Sequence, residues 1–569
     1  MNTKVIPAVI VLSQNSVILG RTITRGLVAA KLYGLVNRTH DVDITFSNFG
    51  ETVRELFATG TPIIGICAAG IIIRTIAPLL TDKRKEPPVL VVSEDGSALV
   101  PLLGGLSGVN DLARQIGEAL NTKPAITTTG DIRFHTALLS PPPGYRLANP
   151  EPGKKFIADL LAGAKVKLEG TAPWLTESNL PIDENGELNI QITENLPNYD
   201  PKYLVYHPGK IVVAITNPQP DTITQIQHLL KASNLASGAV AGIFAPLHLA
   251  NNCQLHAVAE ALAVPTRFFS RNDLATASDL ALAATGTNGK IISSPSPHLA
   301  IAISPQIIHP ATIGQPQGKL AIIGTGPGAS QWMSPQVQEI LASATDLVAY
   351  KTYINLIGSL AEGKCVHESD NRVEAERAYQ ALELAATGKY VAVISSGDPG
   401  IYAMAAAVFE ILDQYHKPEW QSIDIQVAPG ISAMQAAAAS IGAPLGHDFC
   451  VISLSDILKP WQIIAQRITS AAESDFVIAF YNPVSKERTW QLATAKEILL
   501  KYRQPDTPVI LGRNLGRTGE KVTVITLEEL EPTLADMGTL IIIGSSHTRK
   551  IQQDNHVWVY TSRKYHSQL

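Results

Sequence analysis

Along the 569-residue chain, short apolar runs alternate with stretches whose apolar positions recur every three or four residues, a pattern of strands and amphipathic helices. Ile6–Leu12, Val42–Phe46, Ile63–Ile66 and Val89–Val92 read as strands; Gly26–Leu32 and Asp111–Leu120 read as helices. They predict an α/β domain over residues 1–140 with a largely parallel sheet. Residues 141–206 break the alternation with P-P-P-G, E-P-G and an acidic, Asn-rich tract around Ile182–Asp200, and read as a loop-rich insert or linker. A second α/β unit, 207–313, follows: strands Ile211–Ile215 and Val240–Phe244, helices Thr222–Ala232, Leu255–Leu262 and Leu274–Ala284. Gly314–Gly318 is a short hydrophilic linker.

After the linker comes K-L-A-I-I-G-T-G-P-G (Lys319–Gly328): a buried strand, a tight glycine turn, then a helix with a Ser334-Pro335 start. Gly324, Gly326 and Ala329 satisfy G-x-G-x-x-A, the dinucleotide fingerprint. Two features reject that reading. Pro327 has no N–H to offer a phosphate. The acid expected at the end of the next strand is absent, because Asp346 precedes Leu347–Tyr350 and Lys351 follows it. Two more strands end in the same style, Val391–Ile394 before S-S-G-D-P-G-I-Y (Ser395–Tyr402) and Val427 before A-P-G-I-S-A (Ala428–Ala433). Loops beyond the carboxyl ends of strands in an open α/β sheet converge on one site.

Composition narrows the field. Hydrophobic residues make up 45% and charged residues 17%, enough for substantial cores, and the length suits three to five domains. A formal net charge of −5 with no long basic run argues against nucleic acid as a partner. Cys67, Cys253, Cys365 and Cys450 are scattered, which fits a reducing compartment, and no apolar stretch predicts a membrane span, so the cytoplasm is the expected location. His248, Cys253 and His256 have metal-like spacing but lack a supporting second pair, so no metal site is expected.

Taken together, G-T-G-P-G, S-S-G-D-P-G-I-Y and A-P-G-I-S-A resemble the tetrapyrrole methylases, which methylate corrinoid precursors with S-adenosylmethionine. G-A-P-L-G-H-D-F (Gly442–Phe449), V-I-S-L-S-D (Val451–Asp456), Pro460-Trp461 and Y-N-P-V-S-K-E-R-T-W (Tyr481–Trp490) resemble the precorrin-3B C17-methyltransferase branch. The resemblance covers 319–569. It implies two α/β lobes, about 319–425 and 440–569, with the cofactor between them. It also implies a tetrapyrrole substrate, either precorrin-3B or its cobalt-bearing counterpart, methylation coupled to ring contraction, and a homodimer. Carried over residue by residue, it makes Pro327, Gly397, Asp398, Ile401, Ser432, Ala433, Asn482 and Gly516 candidate cofactor contacts, and His447 beside Asp448 a weak acid–base candidate. Plainer readings stand beside these: Asp398 as N-cap of a helix from Pro399, Ser432 as another helix cap, Ile401 as core and Asn482 as a turn residue. Lys351, Lys486, Arg488 and Arg513 are candidate partners for substrate carboxylates.

The first half resembles cobalt-precorrin-5A hydrolase through I-I-R-T-I-A-P-L-L-T-D-K (Ile72–Lys83), V-V-S-E-D-G (Val91–Gly96), P-L-L-G-G-L-S-G-V-N-D-L-A (Pro101–Ala113), I-T-T-T-G-D (Ile126–Asp131), A-V-P-T-R-F-F-S (Ala263–Ser270) and A-T-G-T-N-G (Ala284–Gly289). Two loops depart from that pattern. Leu106 stands where a histidine is expected, and T-N-P-Q-P-D-T (Thr216–Thr222) replaces a Cys-Arg-Arg run. These losses imply impaired hydrolysis, or a unit that binds the corrinoid without transforming it.

Overall fold

The computed structural model describes residues 6–564, except 28–29, 83–85, 106, 198–199, 271–273, 287, 370–373 and 555. The chain divides into two compact units, 1–317 and 318–569. The architecture is mixed α/β throughout, and no helix among the described residues is long and apolar enough to cross a membrane.

Three sheets make up the first unit. One is six-stranded, in the order Ile44–Phe46, Lys31–Leu35, Ala8–Val11, Ile63–Ile66, Val89–Val92, Leu99–Leu103, parallel except for its last strand. The helix expected over Gly26–Leu32 is not there. The helix is Val17–Gly26, and Lys31–Leu35 is a strand. The Ala-Ala-Lys-Leu run favours a helix locally, but the open edge of Ala8–Val11 gives its backbone a ladder and buries Leu32 completely, so tertiary pairing overrides propensity.

Residues 141–206 are also not a linker. Tyr145–Leu147, Tyr203–Pro208, Leu188–Ile192 and Val166–Glu169 form a four-stranded sheet over a core of Phe134, Phe156, Leu160, Leu175, Ile190, Leu204 and Tyr206. Tyr206 donates its hydroxyl to the Leu138 carbonyl at 2.6 Å, and Trp174 packs edge-on against its ring at 5.2 Å. Prolines and asparagines crowd the turns and hide short strands whose L-N-I-Q-I alternation is genuine. The third sheet runs Thr266–Phe269, Val240–Pro246, Ile211–Ile215, Leu299–Ile303, Lys290–Ser296. Phe268 and Gln315 exchange backbone hydrogen bonds at 2.8 Å, so Gln315 is tied to this unit.

The second unit opens with a fully parallel sheet in the order Cys365–Ser369, Asp346–Tyr350, Tyr390–Ser395, Lys319–Gly324, Asp424–Ala428. Alternate residues supply its two faces. Leu320, Ile322, Val391 and Val393 meet helices Glu374–Ala386 and Met404–Tyr415; Ala321, Ile323, Ala392 and Ile394 meet Val337, Ile340 and Leu341. Each such Ile, Leu or Val contributes roughly 1.5–3 kcal/mol on burial. A mixed sheet follows, Phe449–Ser453, Val477–Tyr481, Thr539–Ile543, Pro508–Arg513, Lys521–Thr526, in which only the first pair is parallel.

Candidate active site

The strands Tyr390–Ser395, Lys319–Gly324 and Asp424–Ala428 are immediate neighbours, so their carboxyl-terminal loops meet. They interlock through backbone. Gly397 N–H donates to the Gly326 carbonyl at 2.7 Å, and Gly326 N–H returns a bond to the Gly397 carbonyl at 3.2 Å. Both glycines need positive φ, +78° at Gly326 and +71° at Gly397. The third loop comes closer still: a Cβ on Gly430 would stand 2.1 Å from the Gly397 oxygen and 2.6 Å from the Gly324 oxygen. No side chain fits at this junction.

Asp398 fastens the junction. Its carboxylate accepts from Gly400 N–H at 2.8 Å within its own loop and from Gly430 N–H at 3.1 Å across to the third. It is not a helix cap, because the following helix starts only at Met404. The residues between form a turn in which Tyr402 takes φ +51° and donates its hydroxyl to the Val451 carbonyl at 3.0 Å. Ser432 does cap a helix: it accepts from Gln435 N–H at 3.2 Å while the Gln435 side chain accepts from Ser432 N–H at 2.9 Å.

The mixed sheet supplies the opposite wall. The strands ending at Ser453 and Tyr481 are paired and parallel, and Asn482 donates its side-chain amide to the Ser453 hydroxyl at 3.1 Å. Tyr481 accepts from Met434 N–H at 3.2 Å, and burial raises its phenol above the usual pKa. Arg517 ties the walls together. Its Nε donates to the Pro327 carbonyl at 2.9 Å, and Nη2 donates to the Ser396 hydroxyl at 2.8 Å.

These elements enclose a cavity of about 480 Å³, lined among others by Pro327, Gly397, Asp398, Ile401, Ser432, Ala433 and Asn482. Such a volume suits a small-molecule ligand. Gly516, at φ +66°, stands behind the wall, where its Cβ would meet the Pro327 ring at 3.1 Å. His447 is not in the wall. It precedes the strand Phe449–Ser453, whose other end carries the site, and five residues of strand span roughly 16 Å. Its Nδ1 accepts from Asp448 N–H at 2.7 Å. Sequence reasoning missed Tyr402, Arg377, Arg517 and Met537–Leu540 in the lining. A hint for Tyr402 was its place in S-S-G-D-P-G-I-Y; the others carry no local signal.

The wall mixes backbone and apolar carbon with hydroxyl and amide side chains; its carboxylates are Asp398 and Glu374, and its guanidinium groups are Arg377 and Arg517. A Cβ on Gly397 would meet nothing closer than Ser432 Cα at 3.8 Å, so the α-carbon of Gly397 borders open space. That cradle fits a flat or folded ligand lying against backbone, and Asp398 suits a ligand with positive charge. Among the described residues no group of three His, Cys, Asp or Glu side chains stands close enough to hold a metal ion.

In the first unit, Glu94 accepts from the Ser13 and Ser16 hydroxyls at 2.6 and 3.1 Å, and these bonds lower its pKa. Asp131 is buried between Arg114 at 2.6 Å and Asn110 at 2.7 Å. Thr216 shares a 3.1 Å hydrogen bond with His298 Nδ1. Leu106 lies outside the described residues.

Residues 319–531 match the tetrapyrrole (corrin/porphyrin) methylases, and residues 51–131 match the family described as cobalamin synthesis G N-terminal. The precorrin-3B C(17)-methyltransferase of Sinorhizobium sp is 47% identical over 249 residues, which is 44% of this chain and 97% of that protein. Cobalamin biosynthesis protein CobIJ of Mycobacterium tuberculosis is 47% identical over 252 residues, 44% of this chain and 48% of that one. A probable cobalt-factor III C(17)-methyltransferase of Salmonella typhimurium is 42% identical over 231 residues, 40% of this chain and 93% of that one. The chain therefore spans about half the length of the Mycobacterium relative, at 48%.

Proposed function

Because this chain belongs to the tetrapyrrole (corrin/porphyrin) methylases, we propose that residues 318–569 transfer a methyl group from S-adenosylmethionine to C17 of precorrin-3B or cobalt-factor III, coupled to ring contraction. The observation that carries this reading is the three-loop backbone clasp of Gly324, Gly397 and Gly430 at the rim of the cavity.

Bound there, the cofactor supplies a methyl carbon activated by its sulfonium, and transfer is an in-line displacement that depends chiefly on proximity and alignment. The chain's contribution is accordingly positional. Gly397 keeps the wall free of a side chain, and Pro327, Ile401 and Ala433 give apolar contact and exclude water. Asp398, fixed by two N–H donors, holds negative charge beside a cation without reorganising. Asn482 and Tyr481 line the opposite wall. The test is to supply the full chain with methyl-labelled S-adenosylmethionine and, separately, precorrin-3B and cobalt-factor III, and to locate the label by mass and NMR. Label at another ring carbon refutes the assignment.

For residues 1–317 we propose a corrinoid-binding unit with impaired hydrolysis. Leucine at 106 has no proton to transfer, and the Thr216–Thr222 loop carries neither thiol nor guanidinium. Release of a two-carbon fragment from cobalt-precorrin-5A by the full chain, at a rate comparable to methyl transfer, counts against this. We also expect a homodimer, which sedimentation velocity would detect.

A further inference from the structure

Four cations were candidates for receiving substrate carboxylates, and their surroundings separate them. Arg513 is an ion pair with Asp536 at 2.7 Å, and Lys351 and Lys486 are exposed. Arg488 is different. The loop Y-N-P-V-S-K-E-R closes on itself through Ser485 N–H to the Arg488 carbonyl at 3.0 Å and Arg488 N–H to the Ser485 hydroxyl at 3.2 Å. This turn directs the arginine inward, where 7% of it remains exposed.

Buried guanidinium groups need acceptors. Arg503, in the same half of this unit, has them: the carbonyls of Gly544, Ala472 and Phe476, and Asp475 at 2.8 Å. Arg488 does not. Its Nε is buried with no partner, and Nη2 reaches only the Met537 sulfur at 3.3 Å, a weak acceptor. Among the described residues no carboxylate lies within ion-pair distance of it. Gln491 Oε1 is likewise buried and unpartnered. A water on the Arg488 Nε would satisfy that atom and still leave the positive charge uncompensated. An unpaired buried charge is unfavourable, so the chain holds a strong anion receptor in an unpaired state.

The cover is removable. Met537 lines the cavity, is 53% exposed, and has an unbranched, adaptable side chain. We propose that Arg488 is a carboxylate receptor beneath Met537: a peripheral carboxylate of the tetrapyrrole displaces the Met537 thioether and takes the guanidinium fork. This rests on the tetrapyrrole reading above and assigns one residue to one class of substrate group.

The experiment compares the full wild-type chain with Arg488→Met and Arg488→Lys. It measures apo thermal unfolding, S-adenosylhomocysteine affinity by calorimetry, and affinity for uroporphyrin III, a tetrapyrrole octacarboxylate, by fluorescence quenching. Arg488→Met should unfold no earlier than wild type, because it removes an uncompensated charge. Its uroporphyrin III affinity should fall roughly tenfold to a hundredfold, the range for losing a charge-assisted hydrogen bond, with cofactor affinity within about twofold. Arg488→Lys should recover part of the loss, since lysine keeps the charge without the fork. An Arg488→Met chain that misfolds or unfolds several degrees earlier would show a structural role and overturn the proposal. So would unchanged uroporphyrin III affinity, or equal losses for tetrapyrrole and cofactor. Wild-type binding of uroporphyrin III without methyl transfer to either precorrin-3B or cobalt-factor III would instead sink the reaction assigned above and leave the receptor standing.

Discussion

Gly397 offers a test in which strain and occupancy come apart. Its φ is +71°, and a Cβ there would lie 3.8 Å from Ser432 Cα and 4.0 Å from Ala433 N, ordinary contact distances. Gly397→Ala therefore creates no clash within the protein. It imposes a left-handed conformation on an L-residue, roughly 1–2 kcal/mol. For a unit of this size each kcal/mol shifts Tm by about 2–4 °C. The new methyl also projects into the space bordering the cavity, where overpacking against a bound ligand is worth roughly 1–3 kcal/mol, or about fivefold to a hundredfold in affinity. Gly363→Ala is the control. Its φ is +73° with nothing within 4 Å of a Cβ, so it carries the same strain at a place away from the cavity. Both variants should lose similar thermal stability by calorimetry. Only Gly397→Ala should lose S-adenosylhomocysteine affinity, by roughly tenfold on the figures above, and Gly397→Val should lose it beyond detection. Wild-type affinity in a folded Gly397→Val chain would refute the reasoning and reduce Gly397 to a turn residue.

Three other outcomes follow from the contacts and burial of single groups. Asp398→Asn leaves an amide nitrogen facing either Gly400 N–H or Gly430 N–H, so one bond becomes a donor–donor contact; the loss should be about 1–3 kcal/mol of loop stability, read as faster hydrogen exchange at Gly430 together with weaker cofactor binding. Burial raises the phenol pKa of Tyr206, Tyr353 and Tyr481 above the ordinary 10.0. Below that value these phenols are protonated alike in the folded and unfolded chains, and above it the unfolded chain loses their protons first; the buried Cys67 and Cys450 thiols, raised from 9.0, act the same way from about pH 9, so stability should start to fall near pH 9 and fall more steeply beyond pH 10 in urea titrations; a flat profile from pH 9 to 11.5 would contradict the burial. The Cys67 and Cys450 thiols are pushed up to about 11 by burial, whereas Cys253 and Cys365 are exposed, so iodoacetamide at pH 8 should label the latter pair first by peptide mass spectrometry.

What the sequence by itself determined is local. A run such as Leu320–Ile323 closed by Gly-Thr-Gly-Pro can be little but a strand and a tight turn, because backbone sterics act over a few residues. Three such units, with Asp398 and Ser432 at their turns, were legible in that way. That the strands lie side by side, that Gly326 and Gly397 exchange backbone hydrogen bonds, and that Gly430 packs against the Gly397 and Gly324 oxygens, depends on lateral order in the sheet, which no local pattern encodes. The same gap explains the misreadings. Lys31–Leu35 became a strand because a neighbouring ladder was available, and 141–206 became a domain core because its short strands find one another across turns rich in proline. His447 stood out as an acid–base type, but strand direction sends it to the far end of Phe449–Ser453. Arg488 and Arg513 look equivalent as letters. Only the packing gave Asp536 to one and a lone sulfur to the other, because whether a charge is compensated is decided by residues distant in the chain.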